Sequence, residues 1–335
     1  MMSHEPLTQE DLDVFAYYGR TMASVQQFEL AVTQLARLIH PQLSEDVPFA
    51  HAWNRMKRHL RNSDTPLAEQ LGEVGNTPQE MLERVNYLLT GRENLAHEFL
   101  LTYMFERNVG AVSLAERISI LQGAEADFLE WRNFVNALHG DVARKLGVAS
   151  EVQDLPLEDT RDDFEQEYVR TLLSTYGATM HAVQLWELSL KGLLTYFDLQ
   201  GDDEDAAFDD IWETVERTLT TAAGPLRRRL EEQGCAPEGL HEDLETFRER
   251  RNEMAHEFFL DYARIRRSGD PEAHGAALAL LEGMEYLFLE QYAKLGALSD
   301  DKAAERGWDP KDLGGLTEEE LRRIALGEDE PSQDK

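Results

Sequence analysis

Two arginine–histidine pairs are the residues of this 335-residue chain best suited to chemistry. Arg92 and His97 close the segment Arg-Glu-Asn-Leu-Ala-His, and Arg251 and His256 close Arg-Asn-Glu-Met-Ala-His. A neutral imidazole can take the proton of a ribose 2′-hydroxyl, and an imidazolium can give one to a leaving oxygen. A guanidinium can hold a phosphate and balance charge that builds in the transition state. Two His and two Arg would therefore supply a base, an acid and two phosphate holders without a metal. Glu98 and Glu257 follow the two His directly and favour access to the imidazolium. The competing reading is structural: each Arg is a core cation paired with an acid, and each His caps or packs. Glu29 and Glu187, acids on otherwise apolar stretches, are the expected partners of Arg92 and Arg251.

The elements must place these groups. On a continuous helix His lies about 140° from Arg, and Ala96, Leu100 and Met104 fall between them. Ala255, Phe259 and Ala263 fill the same sector in the second copy. Arg and His then border an apolar stripe whose central Ala permits a close helix crossing. Two copies packed through that stripe as a pseudo-twofold pair would bring both motifs to one groove. Tyr103 and Tyr262 fall about 20° from Arg on the same count, placed to hydrogen-bond it or to pack.

The motifs belong to a longer duplication. Tyr18-Gly-Arg-Thr-Met-Ala-Ser-Val-Gln-Gln-Phe-Glu29 returns as Tyr176-Gly-Ala-Thr-Met-His-Ala-Val-Gln-Leu-Trp-Glu187, and Leu121 to Glu130 returns as Leu281 to Glu290. Trp53 matches Trp212 and Pro78 matches Pro237. Apolar residues recur at helical spacing, and nothing alternates with period two over a useful length. A first helix is expected from near Asp11, a second around Trp53, and a last one from Leu121 to Val135 with its counterpart in the second copy. Thr77-Pro78-Gln79-Glu80 reads as a helix start, with Thr at the cap and Glu three residues later. The predicted class is all-α: two tandem bundles of four or five helices, 11–138 and 166–296. Residues 139–165 are expected to link them, and 297–335 to form an acidic tail containing a short helix.

The chain carries 65 acidic against 33 basic residues, a formal net charge of -32. Such a surface repels polyanions unless basic residues gather locally. Clusters exist at Arg55, Lys57, Arg58 and Arg61, at Arg227 to Arg229, and at Arg248, Arg250 and Arg251 with Arg264, Arg266 and Arg267. The single Cys235 excludes an internal disulfide framework and a Cys-based zinc cluster. No apolar run reaches a membrane-spanning length, and no secretory signal is read at the start, so a cytoplasmic protein is expected. There is no phosphate loop, nucleophile elbow or His-Glu-x-x-His. The remaining histidines, His40, His51, His59, His139, His181, His241 and His274, neither repeat nor show ligand spacing and read as surface or packing residues.

Arg92-Glu-Asn-Leu-Ala-His97 and Arg251-Asn-Glu-Met-Ala-His256, in a helical setting and in duplicate, resemble the HEPN superfamily, whose mark is Arg-x(4–6)-His on a small helical bundle. The resemblance covers most of 11–296. It implies a metal-independent endoribonuclease of toxin or antiviral-defence type, acting where two HEPN units meet and leaving 2′,3′-cyclic phosphate and 5′-hydroxyl ends. By that carry-over His97 and His256 are the acid–base pair and Arg92 and Arg251 the phosphate holders. Asn252 helps, with Asn94, Glu29, Glu187, Tyr103 and Tyr262 in support. Glu93 departs from the usual Asn or Asp, and an acid facing a phosphate would weaken copy one. Phe99 and Phe258 stand where some members carry a modifiable Tyr.

The leading expectation is therefore an RNA-cutting tandem HEPN protein with no metal or cofactor. It would form its dimer-like groove within one chain, with further oligomerisation left open. The alternative is a non-catalytic HEPN scaffold that binds a protein partner, its acidic surface serving recognition. A third reading is an acidic nucleic-acid mimic.

Overall fold

A computed structural model of the chain describes residues 8–44, 47–61, 65–97, 99–109, 113–149, 167–196, 230–231, 237–262 and 271–305. Among them every regular element is helical and no strand occurs. In chain order the helices are α1 (Gln9–Ile39), α2 (Phe49–Leu60), α3 (Pro66–Glu73), α4 (Pro78–His97), α5 (Phe99–Val109), α6 (Leu114–Leu146), α7 (Glu167–Tyr196), α8 (Pro237–His256) and α9 (Pro271–Glu305).

Local chemistry sets the ends. Thr8 caps α1 in a reciprocal box with Asp11, and Ser113 caps α6 in the same way with Glu116. The expected Thr77/Glu80 box opens α4: Glu80 N–H donates to Thr77 Oγ1 at 3.1 Å, and Thr77 N–H donates to Glu80 Oε2 at 2.7 Å. Gly147 stops α6 with φ 68°, a left-handed conformation that glycine adopts without a Cβ penalty. Helix α6 thus continues through the expected start of the linker and buries His139, Val142 and Ala143. Helix α9 likewise continues through the expected start of the acidic tail to Glu305. The remainder of that tail, and Trp212, Arg227 to Arg229, Arg264, Arg266 and Arg267, lie outside the described residues.

Helices α1 and α7 form the centre. Helix α6 runs along α1, α9 runs along α7, and α1 and α7 pack on each other. Both central helices are buried over most of their described length because each is sandwiched. Their crossing is set by the matched Gly19 and Gly177. A Cβ on Gly19 would stand 2.5 Å from the Leu173 carbonyl oxygen, and one on Gly177 would stand 2.6 Å from the Phe15 carbonyl oxygen. The buried rings of Tyr18 and Tyr176 stack beside this crossing with centroids 6.4 Å apart.

This corrects the sequence-based picture of the crossing. The close approach is glycine on the first helix of each copy, not alanine on the motif helix. The helix count also differs: among the described residues the first copy has six helices rather than four or five, because a short α3 is inserted and the motif helix is broken. Helix α4 ends at His97 and α5 starts at Phe99. In the second copy α8 ends at His256, and a further helical turn covers 258–262.

Candidate functional site

The break after each His leaves backbone groups without intrahelical partners. One buried glutamine from the other copy's central helix satisfies them. Gln184 of α7 donates through Nε2 to the carbonyls of Leu95 and Ala96, at 2.9 Å each. Its Oε1 accepts from the N–H groups of Leu100 and Leu101, at 3.1 and 3.2 Å. Gln26 of α1 does the same for the second motif: it donates to Met254 and Ala255 carbonyls at 3.0 Å and accepts from Phe259 N–H at 2.8 Å. Tyr18 and Tyr176 add a hydroxyl donor to the Leu95 and Met254 carbonyls, respectively. Each motif is therefore fixed by a side chain from the opposite half of the sequence. The reading of the sequence singled out neither Gln26 nor Gln184. Their signal was present, since both occupy the same place in the duplicated first helix, three residues before Glu29 and Glu187.

With the breaks fixed, the charged groups assemble in two crossed sets. In one, Arg92 Nε lies 3.0 Å from Glu29 Oε1, and Arg92 Nη2 lies 2.6 Å from His256 Nε2. His256 Nδ1 lies 3.0 Å from Glu29 Oε2. In the other, Arg251 Nε lies 2.8 Å from Glu187 Oε1, and Arg251 Nη2 lies 2.7 Å from His97 Nε2. His97 Nδ1 lies 2.7 Å from Glu187 Oε2. Each set takes Glu and Arg from one copy and His from the other. Glu29, Glu187 and Arg251 are buried, and the side chain of Arg92 is 11% exposed. Those of His97 and His256 are 16% and 28% exposed.

One carboxylate joins the sets. Glu93 contacts Arg92 through Oε1, and its Oε2 lies 3.0 Å from His97 Nε2. Asn252 occupies the matching place in copy two and accepts from Arg251 Nη1 at 2.8 Å. Two guanidiniums thus face three carboxylates around two imidazoles. Burial is the strongest single influence on Glu187 and opposes its ionisation. Arg251 and His97 together outweigh it and hold the carboxyl below its ordinary range.

Each guanidinium lies within hydrogen-bond distance of both nitrogens of the imidazole it meets. At His256 the Arg92 Nη2 lies 2.6 Å from Nε2 and 2.9 Å from Nδ1, and Glu29 approaches the same Nδ1. His97 meets Glu187 on Nδ1, but both Arg251 and Glu93 approach its Nε2. The same Arg251 Nη2 also lies 3.1 Å from His97 Nδ1, so the guanidinium lies against both ring nitrogens.

The other expected site residues fall elsewhere. Tyr103 donates to Asp11 Oδ1 at 3.0 Å, and the Tyr262 hydroxyl lies 2.8 Å from His274 Nδ1. They do not flank Arg, because the helix break resets the rotation on which the 20° count depended. Burial pushes the Tyr262 hydroxyl up to about 12. Asn94 is exposed and stands apart from both sets. Among the described basic residues, Arg248 and Arg250 pair with Glu245 and Glu253 on their own helix. His40 and His59 meet edge-on at 5.2 Å and His139 is buried in α6, each with its imidazole value lowered mainly by desolvation. Trp53 is a core residue. Among the described residues no group of three or more His, Cys, Asp or Glu is arranged to hold a metal ion. No described helix is long and apolar enough to cross a membrane.

No protein-family model matches the chain, and neither a curated protein nor a solved structure matches it.

Proposed function

We propose that this protein is an endoribonuclease that cleaves without a metal, at a site shared by its two repeats. One observation carries the reading: each motif His is held at Nδ1 by a buried Glu and lies against an Arg guanidinium, both from the other copy. A base held by an orienting acid and opposed by a phosphate-holding cation is the arrangement that general acid–base cleavage of a phosphodiester needs. The resemblance of both motifs to the HEPN superfamily supports the same activity.

In this reading RNA enters between the two halves and a phosphate takes guanidinium contacts from Arg92 and Arg251. His256, in its neutral form, accepts the 2′-hydroxyl proton on Nε2. The 2′-oxygen attacks phosphorus, the bond from phosphorus to the 5′-oxygen breaks, and His97 in its protonated form supplies the proton to that oxygen. The products are a 2′,3′-cyclic phosphate and a 5′-hydroxyl, and His256 and His97 end with their protonation states exchanged. Glu29 and Glu187 hold the rings and offset the imidazolium charge.

A second reading is favoured by the saturation of the same network. Three carboxylates compensate the two guanidiniums, so the sets also suit a latch that locks two HEPN-like halves into a protein-binding scaffold. Cleavage of a labelled single-stranded RNA in EDTA separates the two. The nuclease reading expects cyclic-phosphate ends from wild type and none from the His97→Ala/His256→Ala variant. Equal behaviour of the two proteins, with the variant folded, would leave the scaffold.

A further inference from the structure

The Glu93 carboxylate has the contacts that a bound phosphodiester would have. One oxygen meets the Arg92 guanidinium of one set, and the other lies 3.0 Å from His97 Nε2 of the opposite set. It is the link through which the two crossed sets touch. A carboxylate and the two non-bridging oxygens of a phosphodiester both present a pair of anionic acceptors at comparable separation. The position is bordered by both guanidiniums, since Arg251 Nη2 lies 2.7 Å from the same His97 nitrogen.

Three features distinguish Glu93 from Glu29 and Glu187. Its side chain is 49% exposed, whereas theirs are 4% and 5% exposed, so it can turn into solvent without unpacking the core. Its counterpart in copy two is the neutral Asn252, which makes the equivalent contact to Arg251 without a charge. It also brings the third carboxylate to a site with two guanidiniums, so its removal leaves the fixed charges balanced.

We propose that Glu93 is a built-in anion placeholder: it occupies the seat of the RNA phosphate between Arg92 and His97 and must swing out before a strand can bind. The inference rests on the nuclease reading of the site. It gives copy one's departure from the HEPN pattern a purpose other than a weakened copy. Because Arg92 and His97 sit in different sets, Glu93 gates the whole site and not one half.

The test is equilibrium binding of a fluorescein-labelled single-stranded RNA whose 2′-hydroxyls are methylated, so that it binds without being cut. Full-length wild type, Glu93→Gln, Glu93→Asn, and each of these with Arg251→Ala are compared at neutral pH and fixed salt. Melting curves confirm that each protein is folded. Removing a charge this close to a phosphate is expected to tighten binding about tenfold or more. The Arg251→Ala change should abolish that gain. Unchanged affinity in Glu93→Gln and Glu93→Asn, with binding still dependent on Arg251, would overturn the placeholder and leave the nuclease site standing. Binding that is absent or independent of Arg251 in every variant would overturn both.

Discussion

Arg92 reaches His256, 164 positions away, at 2.6 Å, rather than pairing with the His97 that stands five residues further along its own motif. Arg251 reciprocates with His97. Each Arg-x4-His segment is thus half of two different sets, and neither copy contains a complete one. The motif is a unit of sequence but not a unit of structure.

Energetic coupling should follow the crossed pairs. Double-mutant cycles between Arg92 and His256, and between Arg251 and His97, are expected to show interaction energies of about 1–3 kcal/mol. The within-motif cycle between Arg251 and His256 should be smaller by about 1 kcal/mol or more. Chemical denaturation of the four proteins in each cycle measures this, and equal coupling in crossed and within-motif cycles would contradict the crossed arrangement.

Glu187 should set part of the acid stability. Its folded carboxyl lies below the ordinary value of 4.5, because Arg251 and His97 outweigh the opposing burial. A depressed folded value means that the unfolded chain binds the proton first as pH falls. The contribution is complete above about pH 4.5 and is lost as pH drops through the lower folded value. Wild type should therefore lose melting temperature more steeply below about pH 4.5 than Glu187→Gln does. Near neutral pH, Glu187→Ala leaves the buried Arg251 without this partner and should cost about 3–5 kcal/mol.

Gln184→Leu should destabilise the protein although it adds apolar surface to a buried site. The change strips the Ala96 carbonyl and the Leu100 and Leu101 N–H groups of the Gln184 bonds. Leaving buried backbone groups unsatisfied costs about 1–3 kcal/mol each, so a total of at least about 2 kcal/mol is expected. Hydrogen exchange should rise locally at 95–101, in the other repeat from the substitution but in direct contact with it. Protection unchanged there would show that the glutamine does not hold the break.

Gly177→Ala should be worse than an ordinary helix substitution. Alanine normally favours a helix over glycine by about 1 kcal/mol. Here its Cβ would meet the Phe15 backbone at 2.6 Å, and backbone cannot turn aside as a side chain can. A net loss of about 1–3 kcal/mol is expected, read as a lower melting temperature. Gly123→Ala, with nothing within 4 Å of its Cβ, should be neutral or stabilising and serves as the control.

The sequence by itself determined the local features of this protein. Helical periodicity excluded sheet, and Thr77 with Glu80 marked the start of α4. The duplication named Arg92, His97, Arg251 and His256 together with Glu29 and Glu187. These follow from interactions within a few residues, or from the scarcity of acids on apolar helix faces. The sequence also paired Arg92 with Glu29 and Arg251 with Glu187, and only the tertiary structure decided which His joins each pair. The glycine crossing of α1 and α7 sets how the halves lie, and that placement gives each Arg the other copy's His. The break after His97 was hidden for a related reason. Gln184 supplies its hydrogen bonds from the other copy, so the segment 92–104 reads as one helix until that partner is in place. A rotation counted from Arg92 holds only along an uninterrupted helix. Tyr103 and Tyr262 were consequently misplaced, and Glu93 joined two sets that no local pattern connects.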